Sequence, residues 1–170
     1  MKTNRKMQTV LAAAVLFAAQ GVSAEGFDQS KLHVGAGLGN NSLSGFDNAI
    51  GWQFFAGYPL EMVKLGEGIT SSVEVGYMST TFKQDFTSIL GTTTIESDVK
   101  GLWATYVANY PVNEQVDALG RIGLDFGDDS GLMFGIGGEY KLDDQKAVRL
   151  EYVIRDNVNS LQGNFVYRLK

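Results

Sequence analysis

The sequence predicts an all-β chain: an eight-stranded antiparallel up-and-down transmembrane β-barrel, preceded by a cleaved signal peptide. Three observations lead there. From Lys31 onward the chain divides into period-two segments, each of roughly nine to eleven residues, the length a tilted membrane strand needs. Tyrosines recur at one end of every second segment. The first 24 residues have the make-up of an export signal.

That leader is residues 1–24. Lys2, Arg5 and Lys6 give a basic start, Val10 to Ala19 is uninterrupted apolar sequence, and Val22-Ser23-Ala24 offers small residues where a signal peptidase reads. Cleavage is expected before Glu25. The apolar run is too short to span a bilayer. The chain has no cysteine, which excludes a lipoprotein anchor, disulfides and thiolate-held metal. Residues 25–170 then form one barrel domain. Loss of the leader removes three of the 14 basic residues and none of the 19 acids, taking the net charge from −5 to −8. Nucleic acid is excluded as a partner, because its phosphates require basic patches.

The strands follow in order. Lys31–Gly39 sets Leu32, Val34, Ala36 and Leu38 against Lys31, His33, Gly35, Gly37 and Gly39. Ile50–Tyr58 places Trp52, Phe54, Ala56 and Tyr58 on one side, and Ser71–Ser79 places Val73, Val75 and Tyr77 opposite Ser72, Glu74 and Gly76. In Val99–Tyr110, Leu102, Ala104, Tyr106, Ala108 and Tyr110 are expected outward, with Trp103 and Val107 inward. Val116–Phe126 alternates Ile122, Leu124 and Phe126 with Arg121, Gly123 and Asp125. Leu132–Leu142 alternates Phe134, Ile136, Tyr140 and Leu142 with Gly135, Gly137, Glu139 and Lys141. Val148, Leu150, Tyr152 and Ile154 then oppose Arg149, Glu151 and Arg155. The last strand opposes Leu161, Phe165, Tyr167 and Leu169 to Gln162, Asn164 and Arg168. An even strand count lets the sheet close, which removes the edge that hydrocarbon cannot solvate.

The connections set a direction. Pro59–Gly68, Pro111–Gln115 and Asp143–Lys146 alternate with Asn40–Ala49, Thr80–Asp98, Gly127–Gly131 and Asp156–Asn159. Thr80–Asp98 is the longest, and long loops of such barrels lie outside the cell while periplasmic turns stay short. With strand one running outward, Tyr58, Tyr110, Tyr140 and Tyr167 fall at periplasmic strand ends. Trp52, Tyr77, Tyr152 and Phe126 fall in the outer half. Together Trp52, Tyr58, Tyr77, Tyr110, Tyr140, Tyr152 and Tyr167 are expected to form two membrane-interface belts, where amphipathic rings settle.

The opposite face is polar and of mixed sign. Glu74, Arg121, Asp125, Glu139, Arg149, Glu151 and Arg168 are expected to form a structural charge network in the lumen, joined by Lys141 and Arg155. Eight strands leave only enough room for side chains to fill, and buried charges there must pair. The inward glycines make space for those long side chains. His33 is the only histidine, with no serine at a suggestive spacing, so no catalytic residues are assigned. No metal site or cofactor is expected. Asp128-Asp129 and Asp143-Asp144 read as solvated turns, and Gly35-Ala36-Gly37-Leu38-Gly39 lacks the helix and Lys-Ser/Thr of a nucleotide loop.

Lys31-Leu32-His33-Val34-Gly35-Ala36-Gly37, Phe55-Ala56-Gly57-Tyr58-Pro59, Val107-Ala108-Asn109-Tyr110-Pro111, Gly137-Gly138-Glu139-Tyr140, Leu150-Glu151-Tyr152 and Phe165-Val166-Tyr167-Arg168-Leu169 together resemble the OmpA/OmpX-type outer-membrane β-barrel domain of the porin family. The likeness spans nearly all of residues 25–170. Barrels of this family usually end on an aromatic residue; here Leu169 stands in its place and Lys170 follows. Wall anchoring, which belongs to a separate peptidoglycan-binding domain, is not carried over.

The resemblance implies a bacterial outer-membrane location, with outer-membrane lipids and lipopolysaccharide as surroundings and the barrel-insertion machinery as a partner during assembly. The leading expectation is a non-enzymatic protein with a filled lumen, whose Thr80–Asp98 segment, carrying Phe82, Phe86, Ile89 and Leu90, is the candidate for contact with an extracellular partner. The alternatives are a lipid-modifying enzyme, a small-solute pore, and a soluble lipocalin-like binder.

Overall fold

The computed structural model describes residues 28–60, 66, 68–88 and 91–169; the expected leader and its cleavage point lie outside them. Eight strands, β1 (His33–Leu43), β2 (Ala49–Pro59), β3 (Thr70–Ser88), β4 (Gly91–Pro111), β5 (Val116–Asp125), β6 (Gly131–Lys141), β7 (Lys146–Ile154) and β8 (Val158–Arg168), each pair antiparallel with the next. β8 returns to β1 from His33↔Arg168 to Leu43↔Val158, and the sheet closes. Closure gives each strand a ladder partner on both sides, as a sheet surrounded by hydrocarbon must have.

Alternation decides which face is which. Val34, Leu38, Phe54, Ile122, Phe134, Ile136, Leu150, Ile154 and Leu161 stand exposed on the outside, Ile136 with 71 % of its surface free. Their chain neighbours point into the lumen and are buried or half-buried. A one-residue slip in any strand would exchange these two sets, so the pattern fixes register as well as fold.

Residues 28–32 and 169 and the connections 112–115 and 142–145 lie at one end of the barrel, here the terminal end. Residues 44–48, 126–130 and 155–157 lie at the other, the hairpin end. In the 142–145 turn, Asp143 Oδ1 accepts from the backbone N–H of Gln145 and of Lys146, both at 2.8 Å. These N–H groups and the Lys146 ammonium hold the Asp143 carboxyl below the usual carboxylate range.

Three boundaries differ from the sequence reading. Gln29–Lys31 forms a short 3-10 turn capped by Asp28, so Lys31 precedes the first strand instead of opening it. β1 continues past Gly39 to Leu43, which shortens the expected Asn40–Ala49 loop to residues 44–48. The largest difference is Thr80–Asp98. It is not a loop: β3 and β4 run on in unbroken register from Ser79↔Lys100 to Ser88↔Gly91.

The reason is local. Threonine and aromatic residues favour extended backbone, and the cross-strand partners suit one another. Lys83 Nζ meets Glu96 Oε1 at 2.7 Å, Thr94 Oγ1 donates to Asp85 at 2.6 Å, and Thr81 Oγ1 donates to Asp98 at 2.8 Å. Glu96 also holds the Lys83 ammonium pKa above its usual value. The ladder of β2 with β3 stops at Trp52↔Ser79, and that of β4 with β5 begins at Trp103↔Asp125. Phe82 still packs against Phe46 and the Lys83 carbonyl still accepts from the Asp47 N–H, so the five pairs from Gln84↔Ile95 to Ser88↔Gly91 stand clear of the barrel wall, a projection of about 15 Å.

Candidate functional site

Two features offer themselves as sites: the lumen and the projecting hairpin. The lumen is built from the inward residues of every strand. At its centre Glu74 on β3 accepts from Arg149 Nη1 at 2.8 Å and from Arg121 Nη2 at 3.2 Å. Arg121 also donates through Nε and Nη2 to the two oxygens of Glu151, at 2.7 and 2.9 Å. Arg149 Nε reaches Glu139 at 3.0 Å, and Arg168 joins Glu139 from the last strand. Gln162 and Asn164 donate to Glu151, so its remaining lone pairs are used as well.

These contacts cross the barrel. Strands β3, β5, β6, β7 and β8 are tied through one lattice of three carboxylates and three guanidinium groups. Asp125, grouped with this network in the sequence reading, is not part of it. It pairs with Arg155 at 3.2 Å towards the hairpin end. Lys141 Nζ turns to Asp117 Oδ1 at 2.7 Å near the terminal end. The ion-paired inward charges of the strands and Arg155 balance: Glu74, Asp117, Asp125, Glu139 and Glu151 against Arg121, Lys141, Arg149, Arg155 and Arg168; the buried Asp129, expected in a solvated turn, is instead satisfied by the N–H groups of Asn157 and Val158 and the Asn157 amide. Neutrality matters because an unmatched buried charge costs several kcal/mol.

The single histidine sits beside this lattice. His33 Nε2 lies 3.0 Å from Glu74 Oε1. His33 is opposite Gly57 in one ladder and Gly57 is opposite Glu74 in the next. The imidazole therefore reaches across β2, and a Cβ on Gly57 would collide with both the His33 ring and Glu74.

The lumen is less polar than the sequence reading had it. Phe55, Met78, Trp103, Met133, Ala147, Val153 and Val166 form one buried apolar cluster inside the barrel. The Arg121 guanidinium lies 5.3 Å over the Trp103 ring and that of Arg149 lies 5.4 Å over Phe55, so the cations are sandwiched between carboxylates and π-faces. Two of the inward glycines serve these rings: Gly35 admits Phe55 and Gly76 admits Trp103. At the hairpin end, Phe82, Val99 and Val158 form a second buried cluster, with Leu43, Phe46 and Ala49 packed against it.

Two hollows border the lumen. One of about 10 Å³ lies near Asn41, Gln53, Arg155 and Gln162. The other, about 120 Å³, opens at the terminal end between His33, Ser72, Glu139 and Arg168. The ion pairs and the apolar cluster lie between them.

The residues expected at membrane interfaces all occupy outward positions. Trp52, Tyr110, Tyr140, Tyr152 and Tyr167 are exposed, and Tyr58 and Tyr77 are half-buried. Trp52, Phe54 and Tyr77 stack as one three-ring group, with centroids 5.7 to 5.8 Å apart. On the hairpin, the side that continues the lumen face carries Gln84, Phe86, Thr93 and Ile95, of which Phe86 and Ile95 are exposed. Ile89 and Leu90 lie outside the described residues. Asp117, the partner of Lys141, and the apolar cluster around Trp103 were missed from sequence; strand parity carried the signal, since Asp117 lies four positions from Arg121, and Met133 and Val153 lie two from Gly135 and Glu151.

Comparison with known proteins agrees with this architecture. The family model for the outer membrane protein β-barrel domain matches residues 9–168. No curated protein matches. Among solved structures the chain is similar to the Yersinia pestis outer membrane protein Ail in a phospholipid nanodisc, with 15% identity and a TM-score of 0.50, covering 80% of this chain and 98% of that one. It is similar to Neisserial surface protein A, with 12% identity and a TM-score of 0.51, covering 81% and 96%. It is also similar to the outer membrane enzyme PagL, with 12% identity and a TM-score of 0.50, covering 79% and 98%. At these identities the likeness establishes the fold. With its closed eight-stranded sheet, apolar outer wall and a family match over nearly its whole length, the chain belongs to the outer membrane protein β-barrel domain family and resides in the outer membrane of Gram-negative bacteria.

Proposed function

We propose that this protein is a non-enzymatic surface platform: a barrel plugged by its own side chains that holds the β3–β4 hairpin outside the cell for contact with a partner. The observation that carries the reading is the joining of the two features on the same strands. The lumen is filled by a neutral ion-pair lattice and an apolar cluster, and beyond Lys83 β3 and β4 leave it as a two-stranded ribbon with no third strand in its ladder. Unpaired strand edges are templates for strand addition, the commonest way an extended segment docks on a sheet. Glu74, Arg121, Asp125, Glu139, Arg149, Glu151 and Arg168 act structurally in this reading. Trp52, Tyr58, Tyr77, Tyr110, Tyr140, Tyr152 and Tyr167 sit at the two lipid headgroup levels, with lipopolysaccharide around the hairpin end.

Deleting Lys83–Glu96 tests the platform. The expected result is a barrel that still assembles and still shifts mobility on boiling, in cells that attach less to matrix-coated surfaces. Unchanged attachment on every surface tried would count against it. Residues 1–24 are proposed to be removed on export through the signal-peptidase site, so mass analysis of the membrane protein should find Glu25 at its N-terminus.

An enzyme remains the second reading, since PagL shares the fold and is described as an outer membrane enzyme. Fold alone does not transfer chemistry. Against it stands the setting of His33: among the described residues its ring bonds Glu74, a carboxylate already holding two arginines, and no serine or threonine hydroxyl meets the ring as a nucleophile would meet its base. Substituting His33 without loss of any lipid-modifying activity of the purified protein supports the platform.

A further inference from the structure

The outer wall is not uniformly convex. Between β4 and β7 it carries a hollow of about 500 Å³, lined almost wholly by apolar surface and within the range of about 300–1,000 Å³ that small-molecule sites occupy. We infer that this hollow holds one acyl chain of a membrane lipid, retained more tightly than the lipid around it.

The hollow arises from sequence. Ala108 and Gly120 face each other on β4 and β5, in the row that continues to Ile136 and Tyr152. A Cβ on Gly120 would approach only the Gly135 carbonyl, at 4.0 Å, so the position opens into free space. Tyr106, Phe134, Ile136 and Tyr152 rise around it. Towards the hairpin end the lining continues over Ile122, Phe134 and Ile154. It therefore runs from mid-wall towards the membrane surface, as a chain entering from a headgroup requires.

The occupant follows from what the wall offers and where it faces. The hollow is continuous with the apolar band that meets hydrocarbon, so any guest arrives through the bilayer. A polypeptide strand would bring backbone N–H and C=O groups that the lining cannot satisfy. A second copy related by a two-fold axis would set hollow against hollow and leave a void. An acyl chain asks for no hydrogen bonds and fills a depression by dispersion contacts.

The test uses the protein reconstituted in vesicles of phosphatidylethanolamine and phosphatidylglycerol, re-extracted in mild detergent and assayed for phospholipid. G120L fills the hollow. G163L is the control, because Gly163 also faces outward in open space, opposite Leu38 and Leu150. Wild type and G163L are expected to retain about one phospholipid per barrel, as a single hollow of this size implies, and G120L to lose most of it. A108L, at the lining residue that faces Gly120, should act in the same direction. Equal retention in folded G120L and wild type overturns the inference. Wild type alone also decides: a spin-labelled phosphatidylcholine that shows no motionally restricted population in its vesicles overturns it, whatever the variants do.

Discussion

Replacing Glu74 by glutamine removes one negative charge from the centre of the lumen and changes little else. Glu74, Arg121 and Arg149 have side-chain exposures of 0 to 3%, so water screens none of the loss. Before the change Glu74, Glu139 and Glu151 balance Arg121, Arg149 and Arg168; after it the lattice carries one unmatched cation. Removing one partner of a buried ion pair costs about 3–5 kcal/mol. Two arginine contacts are touched but they share one carboxylate, and glutamine keeps an acceptor oxygen, so the lower end, about 3 kcal/mol, applies. With a urea dependence of about 2 kcal/mol per M, the unfolding midpoint should fall by about 1.5 M. Tryptophan fluorescence during urea unfolding in phospholipid vesicles reads it directly, since Trp103 lies in the same cluster. The E74Q/R149Q double variant restores neutrality and should regain at least half of the loss, because the coupling is pairwise. A single variant within about 0.5 kcal/mol of wild type, the scatter of ordinary surface changes, would refute the buried lattice. So would a double variant less stable than the single one.

Two further substitutions probe the wall and the packing. Ile136 is at the middle of β6 and points outward; I136R should cost about 2–4 kcal/mol in bilayers, whereas T94R on the projecting hairpin should leave stability unchanged, and equal effects at the two sites would place the bilayer wrongly. G57L should displace the His33 ring from Glu74 and cost about 1–3 kcal/mol through overpacking, read by the same urea titration; a neutral result would mean that the ring does not lie over β2.

The strands were legible because each outward set is apolar and each inward set contains charge or glycine. β7 shows it most plainly: Val148, Leu150, Tyr152 and Ile154 against Arg149 and Glu151. The same reasoning undercounted the interior. Phe55, Met133 and Val153 are apolar on the inward face, and a reading that equates inward with polar passes over them. Only the closed sheet shows that they gather at one place, because they come from β2, β6 and β7. Likewise Arg121 and Glu74 were each visible as inward charges, but which carboxylate each arginine would take depends on the distance across the barrel, not along the chain. The hairpin was misread for a different reason. Thr80–Asp98 reverses the sense of the other strands: its apolar residues, Phe82, Phe86 and Ile95, lie on the side that continues the lumen face, and the outward side carries Thr81, Lys83, Asp85, Thr94, Glu96 and Asp98. It therefore lacks the outward apolar set that marked the other strands, and its pairing is carried by threonine propensity and cross-strand partners such as Lys83 with Glu96.

The account stands on a lumen closed by its own side chains, which makes the barrel a support and not a passage. Planar-bilayer recording of the purified, folded protein measures that most directly. The closed lattice and the apolar collar of Phe82, Val99 and Val158 predict a silent membrane at neutral pH, with no steady single-channel current. Reproducible unitary currents from the wild-type protein would contradict it.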